Sequence, residues 1–117
     1  MADPVSAFLE HRGAARHLIQ GGAEGLVSRW QTFVAQAESG YPLGIEDYRN
    51  DLDLRSLIAL AGIAGRVSSE DARFRSLLTE TDTELWSSDA PDAWWTRGYP
   101  RNAGSLLLED LRAEELL

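Results

Sequence analysis

Apolar residues recur along most of this 117-residue chain at helical spacing, and nowhere do four or more consecutive positions alternate as in a half-buried strand. The clearest stripe is Ala23, Leu26, Val27, Trp30, Phe33, Val34 and Ala37, with Glu24, Ser28, Thr32 and Gln36 opposite. This predicts a surface helix facing a core, ended by Gly40 and Pro42. Before it, Asp3-Pro4 is a good helix opening, and Val5, Phe8, Leu9, Ala15 and Ile19 predict one helix from about Pro4 to Ile19. Residues 45–65 predict a third helix with a charged beginning. From Leu54 to Ala64 its apolar residues cover every direction, so it is expected at the centre of the fold, with Gly65 ending it.

Ser68 and Ser69 ahead of Glu70 and Asp71 predict a helix start, followed by Phe74, Leu77, Leu78, Thr81 and Leu85 on one face and an end near Trp86. Pro91 breaks the chain, and Ser105 opens a last helix through Leu107, Leu108 and Leu111. The expected fold is therefore all-α: a compact antiparallel bundle of four helices plus a short C-terminal helix and an aromatic loop, with residues 1–117 forming a single domain.

Charge narrows the partners. The net charge is −8, and its eleven cations, all arginine, are scattered with no two adjacent. Phosphate recognition rewards clustered cations, so nucleic acid is not expected as a partner, whereas a basic protein surface is. The most apolar window, residues 57–65, is too short to cross a bilayer, and the first residues have no basic stretch of the signal-peptide kind, so a cytoplasmic protein without membrane contact is expected.

The absence of cysteine removes thiolate chemistry, disulfides and cysteine-ligated metals. GxSxG, P-loop, GxGxxG and HExxH patterns are also missing, and His11 and His17 lie six apart, on different sides of a helix. No catalytic residue, metal site or cofactor is assigned, and an enzyme is the less favoured reading.

Two stretches remain as candidate surfaces. In the first, residues 46–55, Glu46, Asp47, Asp51 and Asp53 form an acidic patch suited to a basic partner. Tyr48 and Arg55, seven apart, fall within about 20° on a helical wheel. Arg55 should therefore enter the bundle and need a carboxylate: Asp51 one turn away, or Asp82 on the next helix, with Tyr48 closing the network.

The second stretch, DAWWTRGYPRNAG, holds Trp94, Trp95, Arg97, Tyr99 and Arg101. Its composition suits either a strap that seals a core, the favoured reading, or an interface hot spot for a partner or anionic ligand.

The leading expectation is a non-catalytic protein-binding module, physically comparable in size and charge with acidic inhibitors of the bacterial immunity type, an analogy without residue correspondence. The alternatives are a small-ligand binder or small enzyme using Tyr48, Asp51 and Arg55 in a pocket between helices, and a subunit that self-associates through the aromatic stretch.

Overall fold

A computed structural model describes residues 3–79 and 85–116. Among these residues the chain is all-helical, as the periodicity predicts. Its helices are α1 (Pro4–His11), α2 (Arg16–Glu38), α3 (Ile45–Leu60), α4 (Ser68–Leu77) and α5 (Ser105–Ala113), with short 3₁₀ turns at Ala64–Val67 and Trp94–Thr96.

Asp3 caps α1 as expected, its Oδ1 accepting from the Val5 amide at 2.7 Å. The first helix stops at His11 rather than running on to Ile19. Gly13 at φ 74° lets its own amide reach the Glu10 carbonyl (3.0 Å) and the Ala14 amide reach that of Leu9 (3.0 Å), a pair of bonds that closes the helix end. The same device at Gly62, with Ile63 N–H donating to Ile58, ends α3 three residues before the expected Gly65.

The central helix is α2, not α3. It packs against α1, α3, α4 and the Ala64–Val67 turn, and its predicted stripe from Ala23 to Ala37 is buried throughout. In α3 the expected all-round burial does not occur: Leu54, Leu57 and Leu60 are only partly covered, while Arg55 and Ser56 are buried beside Ile58. An all-apolar circumference permits a central position, but the packing of α3 against α2 on one side and α5 on another leaves an arc of it facing water.

Rings run continuously through the core. Trp30 stacks on Phe33 (4.9 Å between centroids), Phe33 meets Tyr41, Tyr48 and Phe74 edge-on or tilted at 5.1–5.9 Å, and Tyr48 meets Trp86 at 5.2 Å. Offset and edge contacts at these separations add about 0.5–1.5 kcal/mol per pair beyond burial itself.

The fourth helix ends at Leu77, short of Trp86, because Leu78 turns extended and pairs with the aromatic stretch. Thr79 N–H donates to the Tyr99 carbonyl (2.9 Å), Arg101 N–H to Leu77 (2.8 Å) and Leu85 N–H to Thr96 (2.9 Å). Residues 94–101 are thereby tied along the chain that follows α4. Trp95 and Thr96 are buried, and Trp94 is half-buried between Phe74 and the Arg75 guanidinium, 5.0 Å from its ring. The strap reading predicts that acrylamide quenches native tryptophan emission far less than that of the urea-unfolded chain; equal quenching in the two states contradicts it.

Candidate functional site

The interior polar network has a different membership from the expected one. Arg55 is held by Asp71 at the start of α4: its Nε donates to Oδ1 at 2.9 Å and its Nη2 to Oδ2 at 2.8 Å. Asp71 Oδ1 also accepts from Trp30 Nε1 (3.0 Å), and the Arg55 guanidinium lies over the Trp95 ring at 4.5 Å. Trp95 Nε1 in turn donates to Ser56 Oγ (3.2 Å), which is hydrogen-bonded to Ser88 Oγ (2.6 Å). Helices α2, α3 and α4 are thus joined to the strap by charge-assisted and aromatic contacts, the arrangement for which a planar guanidinium is suited.

Asp51 is engaged elsewhere, accepting from the Tyr41 hydroxyl at 2.8 Å, and Asp82 lies outside the described residues. The i, i+4 spacing of Asp51 and Arg55 did not decide the pairing. Arg55 points to the buried side of α3, where Asp71 accepts from Nε and Nη2 and Nη1 is left buried without a hydrogen-bond partner among the described residues, while Asp51 sits at the helix edge beside Tyr41. Tyr48 does not close the network: its hydroxyl is buried with no hydrogen-bond partner among the described residues, and burial pushes its pKa up. Tyr48, Asp51 and Arg55 therefore serve three different surroundings.

Of the aromatic stretch, Trp95 is 2% exposed and belongs to the core, so it is not a surface on which a partner can rest. Tyr99 is partly covered, and Arg97 and Arg101 are exposed.

The acidic patch lies on the outer arc of α3. Glu46, Asp47 and Asp53 are exposed and Asp51 is half-buried. Packing of α5 against α3 enlarges this surface. Asp110 Oδ2 accepts from the Ile45 amide (2.9 Å) and so caps α3, and Glu114 pairs with Arg49 (2.8 Å), which also meets Glu46 (3.5 Å). On α5, Leu106, Glu109 and Asp110 share one side.

Leu106 is 48% exposed and sits against Gly44, next to Leu43, which is 38% exposed. These are the large hydrophobic residues left open among the described residues. They leave apolar surface open on either side of Gly44, beside the Asp110 carboxylate and the acidic first turn of α3.

Beside this face, a cleft of about 280 Å³ opens between α3 and the chain around Trp86, lined by Arg49, Leu52, Asp53, Ser56, Leu85, Trp86, Ser87 and Thr96. Arg49 lies over the Trp86 ring at 5.2 Å. Asp53 makes no ion pair among the described residues, and its carboxyl is raised above the usual carboxylate range by burial and by the nearby charge of Asp89. A carboxyl raised in the folded state contributes stability below its unfolded pKa and loses it as pH rises through the folded value. Asp53→Asn should therefore raise the melting temperature at pH 7, with the gain shrinking as pH falls through the carboxylate range; a lower melting temperature at pH 7 contradicts this.

His11 and His17 are both exposed, on α1 and α2. Among the described residues no three His, Asp or Glu side chains come together as metal ligands. No described helix is long and apolar enough to cross a membrane. Comparison of the chain with family models, with curated proteins and with solved structures finds no match.

Sequence reasoning missed Asp71, Ser56 and Ser88 as network members and Leu43, Leu106, Glu109 and Asp110 as parts of the acidic face. A signal for Asp71 existed, since an acid in the first turn of the helix after Arg55 is placed to face back toward it. No local signal marks Leu43 or Leu106, because an exposed leucine is recognised only once its neighbours are in place.

Proposed function

We propose that this chain is a non-catalytic protein-binding module that docks a basic partner through the outer face formed by the start of α3 and by α5. The observation that carries the reading is the pair Leu43 and Leu106, open to solvent beside Gly44 and the Asp110 carboxylate, with Glu46 and Asp47 following in the first turn of α3 and Glu109 next to Asp110 on α5. An apolar centre with a charged rim is the anatomy of a protein interface, the centre supplying affinity and the rim supplying steering and partner choice. The net charge of −8 adds a long-range field of the same sign.

The aromatic stretch offers less for docking, since its largest side chains already cover the core. Burial of Trp95 also weakens self-association through that stretch.

Immobilised protein is expected to retain a basic protein from its native extract, and retention should weaken as salt is raised because rim charges are screened over about 8–10 Å. Leu106→Glu should reduce affinity ~10-fold or more by placing a charge at the interface centre, and Glu46→Arg with Asp47→Arg should slow association while leaving the fold intact. Retention indifferent to all three substitutions overturns the assignment of this face.

A further inference from the structure

The cleft beside α3 combines three features that a surface carboxylate alone does not have. It is bounded by apolar walls, Leu52, Leu85 and the indole of Trp86. It contains Asp53, a solvent-reaching carboxylate on the cleft lining with no cation paired to it among the described residues. The lining cation among the described residues, Arg49, is already balanced by Glu114 at 2.8 Å and Glu46 at 3.5 Å, so the charge left uncompensated on the described lining is negative. Asp89, close enough to Asp53 to act on it, adds to that sign, and among the described residues its ion pair is an exposed contact to Arg12 at 3.4 Å.

We infer that this cleft receives one arginine side chain of the basic partner, its methylenes against Leu52, Leu85 and Trp86 and its guanidinium on the Asp53 carboxylate. The inference rests on the docking reading above and names what the partner must present next to the leucine spot.

Size favours a single side chain over a larger molecule, because a volume of about 280 Å³ lies at the low end of ligand pockets, which run from roughly 300 to 1,000 Å³. Arginine is favoured over lysine on two grounds. A planar guanidinium meets a carboxylate with two parallel N–H···O bonds, and it gives up its hydration more readily than an ammonium on entering a half-closed space. The exposed hydroxyl of Ser87 offers a further acceptor at the rim, whereas the Ser56 and Thr96 hydroxyls are engaged with Ser88 and the Ala93 carbonyl.

The probe is N-acetyl-L-arginine amide, titrated into the full chain and followed by amide chemical shifts. Saturable shifts are expected at residues 49–56 and 85–87, with at least ~10-fold weaker binding in Asp53→Asn and several-fold weaker binding of the lysine analogue. Because Asp53→Asn is expected to melt no lower than the wild type at pH 7, lost binding in that variant is not lost folding. Absence of shifts, binding unchanged by Asp53→Asn, or equal binding of the lysine analogue overturns the inference. Leu106→Glu should leave this titration unchanged while removing the partner. Docking that persists in Asp53→Asn would therefore overturn the cleft assignment alone, and an intact titration beside docking insensitive to Leu106→Glu would overturn the docking face alone.

Discussion

Replacing Gly22 by alanine is expected to destabilise the protein by about 3–5 kcal/mol, a large part of the 5–15 kcal/mol typical of a domain. α2 is two helical segments joined at this residue, whose backbone sits at φ 57°, ψ −148°, a region that is essentially glycine-only and costs other residues on the order of 1–3 kcal/mol. A Cβ there would stand 2.7 Å from Asp3 Oδ2 and 2.8 Å from Ser6 Oγ.

Neither neighbour can withdraw freely. Asp3 caps α1 and also approaches the Ala23 amide at 3.4 Å, and Ser6 Oγ donates to the Ile19 carbonyl at 2.7 Å. Displacing Asp3 gives up caps worth about 1 kcal/mol each in addition to the backbone strain. Gly21→Ala and Gly25→Ala provide the control: both positions are helical, with nothing within 4 Å of the added carbon. They should be neutral or stabilising by up to about 1 kcal/mol. Urea denaturation of the three variants checks the contrast, and equal effects would contradict the account of the kink.

Asp71→Asn is the second large effect, expected to cost about 3–5 kcal/mol because it leaves the buried Arg55 guanidinium without its counter-charge. The loss should spread beyond the pair, since Asp71 also accepts from Trp30 and Arg55 underlies Trp95. The double variant Arg55→Met with Asp71→Leu should recover most of that stability, because a well-packed apolar pair avoids the desolvation that an ion pair must offset. Strong non-additivity in the cycle of Arg55→Met, Asp71→Leu and the double variant, read from denaturant midpoints at unchanged slope, is the predicted result. Additive losses would mean that the two side chains do not act as a unit.

Much of the fold was legible because it is written at short range. The stripe from Ala23 to Ala37 needs only helical geometry, and the Asp3-Pro4 opening only the chemistry of unpaired amides. What was not legible depends on contacts distant in sequence. The end of α4 at Leu77 follows from pairing with Tyr99 and Arg101 more than twenty residues on, which no window along the chain reveals.

Arg55's need for a partner could be read from its position on an apolar face. Its choice of Asp71, 16 residues away, over Asp51, four away, required knowing which side of α3 meets α4. The acidic start of α3 was visible as composition, while its continuation onto α5 and its apolar centre at Leu43 and Leu106 arise only when the two helices meet.

Docking on the α3–α5 face, as proposed, leaves the aromatic stretch to serve as structure. Amide hydrogen exchange of the chain, free and with its retained basic partner, tests this most directly. Added protection is expected on binding across residues 43–53 and 105–114, with the amides of Thr96, Tyr99 and Arg101 already protected in the free protein and unchanged. Added protection confined to residues 94–101, with the α3–α5 face unaltered, would contradict it.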